Sequence, residues 1–213
     1  MEQSRKVVQG FRSAGLGCSR MGNQSVMSTV FLDRDGVINE NRSDYVKNWN
    51  EFCFLPGARE AIAKLTVAGH RIVVCSNQAG IATGRLSVQS LNDIHQHMLS
   101  EVEKAGGHIE HVYYCPHGKH EGCACRKPRP GLLLRACKEL NLALTDAVFI
   151  GDNITDVQAS FAAGVLPILV LTGLGLEQIQ HPSSAVIQPF LVKANLYHAV
   201  DAVLNGIYIS KCS

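Results

Sequence analysis

The chain has 213 residues, 46% of them apolar, and a net charge of +2 with its nine histidines neutral. That apolar share is enough for one domain with its own core. The near balance of charge, without a basic stripe, argues against a nucleic-acid partner, and no run of about eighteen apolar residues offers a membrane-spanning helix.

Residues 1–27 are polar, mildly basic and aperiodic, and are expected to form a disordered extension. Met27 stands just ahead of the first strand and is an alternative start. Residues 28–213 are expected to form a single domain. Thr29–Leu32 (T-V-F-L) reads as a short buried strand ending at Asp33. Pro56-Gly57 opens a helix with Ala58, Ile62 and Leu65 on one face, closed by Gly69. Arg71–Cys75 is the second strand. Ser87 caps a long helix to about Lys104, with Leu91, Ile94, Met98 and Val102 at helical spacing. Ile109–Tyr114 is the third strand. Pro130 starts a helix whose Leu133, Leu134, Cys137 and Leu140 are expected to face the core. Ala147–Ile150 is the fourth strand, Thr155–Ala163 a helix ended by Gly164, and Ile168–Leu171 the fifth strand. A weak strand near Ile187–Val192 and a helix near Ala194–Leu204 follow.

Apolar strands, each followed by a helix, predict an α/β fold with a parallel sheet covered on both faces. Ligands in such sheets bind beyond the carboxyl ends of the strands. There the sequence places Asp33, Asp35, Ser76, Asn77, Asp152 and Asp156. Asp33 and Asp35 in F-L-D-R-D-G-V point the same way, and two repelling carboxylates invite a hard cation such as Mg²⁺. A carboxylate also serves as a nucleophile toward phosphorus. On this stretch alone an ordinary Asp-Gly turn explains the residues equally well. Ser76 and Asn77 offer hydroxyl and amide groups suited to phosphoryl oxygens. Lys127, in C-R-K-P-R-P-G, is held in an extended segment by Pro128 and is suited to neutralising a phosphate or pairing with Asp33. Asp156 is equally explained as a helix-start charge.

Taken in order, Asp-x-Asp-Gly, Ser-Asn, Lys-Pro and Gly-Asp-x-x-x-Asp resemble the motif set of the haloacid-dehalogenase-like phosphatases. F-L-D-R-D-G-V-I-N, S-N-Q-A-G-I-A-T-G, Y-Y-C-P-H, C-A-C-R-K-P-R-P-G and G-D-N-I-T-D-V-Q-A are further similar to the heptose-bisphosphate phosphatases within it, over roughly Thr29 to Gly173. The resemblance implies a Rossmann-like three-layer fold without a large cap domain, and a Mg²⁺-dependent phosphomonoesterase acting on a phosphorylated sugar. Asn39–Leu55 would be a short flap carrying Tyr45 and Trp49. By the same resemblance Asp33 is the nucleophile and Asp35 the general acid and base, with its backbone carbonyl on Mg²⁺. Ser76 and Asn77 hold the phosphoryl group and Lys127 stabilises its charge. Asp152 ligates Mg²⁺ and Asp156 supports it. The neighbouring Asp33 carboxylate is expected to raise the pKa of Asp35. The loop Gln78–Arg85, with Gln78 and Arg85 at its ends, and Arg126 would contact the substrate, and Arg129 is a further candidate for a second phosphate. The implied setting is nucleotide-activated heptose synthesis for lipopolysaccharide or surface glycans. Histidinol-phosphate phosphatase is the rival inside the family, and a non-catalytic zinc-binding module the rival outside it. A nucleic-acid 3′-phosphatase is disfavoured by the weak basic balance.

Eight cysteines stand at 18, 53, 75, 115, 123, 125, 137 and 212. Without a secretory apolar segment, reduced thiols in a cytoplasmic protein are expected, and a monomer is the default state. The run C-P-H-G-K-H-E-G-C-A-C gathers three cysteines and two histidines. Cys115, His117, Cys123 and Cys125 match a closed, structural Zn²⁺ site, with His117 rather than His120 assigned by the resemblance. Such a zinc would act as a staple that fixes Lys127 over Asp33.

Overall fold

The computed structural model describes residues 28–180 and 190–206; the expected extension over 1–27, and Cys18 and Cys212, lie outside them. Six parallel strands form one sheet: β1 (Thr29–Leu32), β2 (Arg71–Asn77), β3 (His111–Cys115), β4 (Val148–Gly151), β5 (Leu166–Val170) and β6 (Leu191–Lys193). Their order is β3-β2-β1-β4-β5-β6. The chain steps outward from β1 to β3, then crosses back to lay β4 against the other side of β1. This reversal leaves a crevice at the carboxyl ends of β1 and β4, where open α/β sheets bind ligands. Both strands are buried along their whole length.

Helices α1 (Ala58–Val67), α2 (Val88–Lys104), α3 (Gly131–Leu140), α4 (Ile154–Ala163), α5 (Gly175–Gln180) and α6 (Leu196–Leu204) complete the layers. Strand alternation divides the core by face. Val30, Leu32, Val74 and Ile150 pack with α1, α2 and α6. Phe31, Val73, Cys75 and Phe149 pack with α3 and part of α4. Ser87 caps α2 by accepting from the Ser90 amide at 2.9 Å.

Most expected elements stand, with shifted ends. The third strand starts at His111 rather than Ile109 and reaches Cys115, while β2 runs on to Asn77. Leu134, expected in the core, is 45% exposed. The buried face of α3 is Leu132, Leu133 and Ala136, and a residue two positions on from Leu132 points away from it. The weak strand near Ile187–Val192 lies partly outside the described residues; its described portion is β6. The short α5 was not foreseen. The flap from Asn39 to Leu55 contains no large cap. Trp49 stacks on Phe52 and on His97 of α2, at 4.9 and 5.2 Å between ring centroids, so the flap is pinned to the body by aromatic packing. Among the described residues no helix is long and apolar enough to cross a membrane.

Candidate active site

Lys127 is the centre of the polar cluster. Its ammonium is buried and lies 3.0 Å from Asp33, 2.7 Å from Asp156 and 2.9 Å from the Cys75 carbonyl. Burial opposes its charge, but Asp156 and Asp33 hold its pKa above the ordinary lysine value. Asp33, at the end of β1, also accepts from the Arg34 amide at 2.7 Å. Burial raises the Asp33 pKa to about 6 against the pull of Lys127, with Asp156 and Asp35 adding to the rise. Asp152, at the end of β4, is raised well above the ordinary carboxyl range by burial and by Asp156 and Asp33.

Two glycines make room for Asp152. A Cβ on Gly36 or Gly173 would stand 2.0 or 2.1 Å from its Oδ2, and both residues have positive φ, at 81° and 57°. The Asp152 carboxylate accepts from the Leu174 amide at 2.8 Å. Asp156 serves two ends at once. One carboxylate oxygen takes the Asn153 amide at 3.0 Å in a capping box on α4, and the other meets Lys127. Carboxylate oxygens of Asp33, Asp152 and Asp156 converge within 4.8 Å of one another. Two of these buried carboxylates, Asp33 and Asp156, share one lysine, and two, Asp33 and Asp152, have raised proton affinity. This all-oxygen donor set fits a hard divalent cation such as Mg²⁺.

Asp35 departs from expectation. Its pKa is lowered, not raised. Burial pushes it up, but Arg34 donates to both its oxygens at 2.9 Å, Asn39 adds a bond at 2.9 Å and Gln78 one at 2.8 Å. Together these hold it as a carboxylate. Arg34 was missed by sequence reasoning. It lies between the two aspartates in sequence and is fully buried, and a charge just after an apolar strand was the available signal that it must have a buried partner.

Ser76 is buried, and its oxygen accepts from Gln78 at 2.9 Å, which leaves its hydroxyl proton free to be donated elsewhere. Asn77 lines the cavity over these residues, and its side-chain amide also braces the Lys127 backbone. Its Oδ1 accepts from the Lys127 amide at 3.1 Å and its Nδ2 donates to the Lys127 carbonyl at 3.2 Å, so the amide is a strut for Lys127. Gln78 likewise orients Asp35 and Ser76. The Lys127–Pro128 peptide is cis, and the Arg129 amide bonds back to the Arg126 carbonyl at 2.9 Å. The segment is thus a turn, not the extended run expected.

A cavity of about 420 Å³ opens over Asp33, Asp35, Ser76 and Asp152, walled by Asn41, Arg42 and Tyr45 of the flap and by Lys119 and Arg126. Asn153, Thr155 and Gln178 line it too; they follow β4 or belong to the unforeseen α5. Arg85 is exposed and does not line this cavity. Arg129 donates to the Cys123 carbonyl and lines an adjoining cavity instead.

The cysteine loop also closes as expected. Cys115 Sγ lies 3.6 Å from Cys123 Sγ and 3.3 Å from Cys125 Sγ, and His117 Nδ1 lies 3.6 and 3.3 Å from Cys115 and Cys125. These separations exceed a disulfide bond of about 2.05 Å. They approach the edge of about 3.8 Å of a tetrahedron with metal–sulfur bonds of about 2.3 Å. Burial and the neighbouring Cys125 thiol push Cys115 up to about 12, and a cation is what lets such a cluster ionise. The donor set fits Zn²⁺ with no position left open. His120 stands outside it. Cys53, Cys75 and Cys137 are free thiols.

A family model described as haloacid dehalogenase-like hydrolase matches residues 5–160. The chain belongs to the haloacid dehalogenase-like hydrolases. A second, HAD-hydrolase-like model matches residues 124–199. The chain is 42% identical over 154 residues to the D-glycero-beta-D-manno-heptose-1,7-bisphosphate 7-phosphatase of Pseudomonas putida, covering 72% of this chain and 88% of that one. It is 40% identical over 133 residues to the D-glycero-alpha-D-manno-heptose-1,7-bisphosphate 7-phosphatase of Mycobacterium bovis, covering 61% and 69%. The crystal structure of D,D-heptose 1,7-bisphosphate phosphatase from B. bronchiseptica, complexed with magnesium and phosphate, matches with a TM-score of 0.80 at 35% identity, over 84% of this chain and 99% of that one. The phosphatase class expected from the resemblance agrees with the names of these relatives.

Proposed function

We propose that the chain removes the 7-phosphate of D-glycero-D-manno-heptose 1,7-bisphosphate, within nucleotide-activated heptose synthesis. The carrying observation is Asp33, buried at a strand end, held by Lys127 at 3.0 Å and facing the cavity. An Asp33 carboxylate oxygen attacks phosphorus, the bond from phosphorus to the sugar oxygen breaks, and an aspartyl-phosphate forms. Lys127 and the free Ser76 hydroxyl proton face the charge on the phosphoryl oxygens. Asp35 starts as a carboxylate. An incoming phosphate dianion raises its proton affinity by like-charge repulsion, so the proton given to the leaving sugar oxygen is taken up with the substrate. The restored Asp35 carboxylate then removes a proton from the water that releases phosphate. Bound Mg²⁺ supplies neutralisation of phosphoryl charge; Asp33, Asp152 and the Asp35 backbone carbonyl would hold it, with Asp156 behind. Cys115, His117, Cys123 and Cys125 would hold a Zn²⁺ whose role is structural.

Phosphate release tests this reading. The purified protein with Mg²⁺ is given both anomers of heptose 1,7-bisphosphate, histidinol phosphate and fructose 1,6-bisphosphate. The expected result is the highest kcat/KM for one heptose anomer. A preference of about tenfold or more for histidinol phosphate overturns the assignment.

A further inference from the structure

Three cations in or beside the cavity are already committed. Lys127 serves Asp33 and Asp156, and Arg34 serves Asp35. Arg126 donates to the His117 carbonyl at 3.0 Å. Two further cations stand on the walls, Arg42 on the flap and Lys119 on the zinc loop. Lys119 is exposed and makes no hydrogen bond or ion pair among the described residues. Arg42 bonds Asp44 at 3.2 and 3.4 Å and lies 3.8 Å from Glu51.

Both of those acids have a second partner. Lys47 lies 2.6 Å from Asp44 and 3.1 Å from Glu51, and its backbone amide donates to Glu51 at 3.0 Å. Arg42 can therefore leave them without stranding a charge, and its pairs, with Arg42 41% and Asp44 51% exposed, are weak ones. The flap beneath is not loose. Val46 is buried, and Tyr45 packs on Gly80 so closely that a Cβ there would stand 3.1 Å from its ring. A fixed wall thus presents a guanidinium in a releasable pairing.

We propose that Arg42, with Lys119 on the other loop, is a specificity-determining anion site that takes the substrate phosphate not being cleaved. The inference rests on the reading of the substrate as a sugar bisphosphate. The guanidinium exchanges the solvated Asp44 and Glu51 for a phosphate dianion, which its fork binds bidentately, while Lys119 adds an unspent charge. Discrimination between bisphosphates and monophosphates then belongs to the flap and the zinc loop rather than to the reacting centre.

The test compares wild type with Arg42→Ala, Arg42→Lys and Lys119→Glu on heptose 1,7-bisphosphate and on p-nitrophenyl phosphate, which has no second anion. Wild-type turnover of the heptose bisphosphate checks the substrate reading by itself. For the inference, Arg42→Ala is expected to lower the ratio of the two kcat/KM values about ten- to a hundredfold, chiefly through KM for the bisphosphate. Arg42→Lys should recover part of the loss, and Lys119→Glu should lower the same ratio. An unchanged ratio in Arg42→Ala, or an equal fall on both substrates, overturns the site even where the wild type prefers the heptose bisphosphate. If the wild type instead prefers another bisphosphate, the ratio is read on that one and decides the inference in the same way.

Discussion

Replacing Asp33 by Asn removes one of the two carboxylates paired with Lys127 but leaves Asp156 and the Cys75 carbonyl in place. The lysine stays satisfied, so the fold should survive. On the proposed mechanism, what is lost is the oxygen that attacks phosphorus. Asp33→Asn is expected to lower phosphate release by at least about a thousandfold, with an unfolding midpoint close to wild type. Near-normal activity, after mass spectrometry has excluded deamidation back to Asp, would refute the nucleophile. The polar residues at the strand ends were legible because a parallel sheet delivers its chemistry there. Their division of labour was not. Asn77 spends its amide on Lys127, fifty residues on, and only the tertiary approach of that segment assigns it. The state of Asp35 depends on Arg34, whose burial makes it a stronger neighbour than Asp33.

At the scale of elements, the cysteine loop and the turn that follows it behave as one piece. Arg126 and Arg129 donate to the carbonyls of His117 and Cys123, so the residues flanking Lys127 hang on the loop closed by Cys115 and Cys125. On the proposed zinc reading, this loop, with little apolar content of its own, would gain its order from the metal. Cys123→Ser is expected to cut bound zinc from about one per chain to a small fraction and to lower kcat/KM about ten- to a hundredfold, while the Mg²⁺ requirement persists. Metal analysis beside kinetics checks it, and full activity without zinc would sink the staple. The loop was readable because its donors are close in sequence. Less was readable where an element is short or its face ambiguous. The six-residue α5 carries Gln178 to the cavity without a periodic pattern long enough to announce it, and α3 uses Leu132 where the sequence equally allowed Leu134.

The whole molecule couples site and core through His95. It projects from α2, whose Leu91, Ile94 and Met98 belong to the large core cluster, and its Nε2 lies 3.3 Å from Arg34. A guanidinium only donates, so Nε2 accepts and the ring is neutral. Burial first, then the Arg34 charge, lowers the His95 pKa to about 3, with Asp35 opposing. Unfolding restores an ordinary histidine of about 6.5. Between these values the unfolded chain binds the extra proton, so stability is full above about pH 6.5 and falls as pH drops toward 3. Asp33 and Asp152, with raised values, act in the opposite sense, which is why the contribution must be read as a difference. His95→Gln keeps an acceptor for Arg34 and removes the titration. Relative to this variant, the wild type is expected to lose stability with a slope approaching about 1.4 kcal/mol per pH unit below pH 6, measured by urea unfolding from pH 7 to 4.5. Parallel curves for the two proteins would show that His95 carries no such linkage and that the bond to Arg34 is not held by a neutral ring.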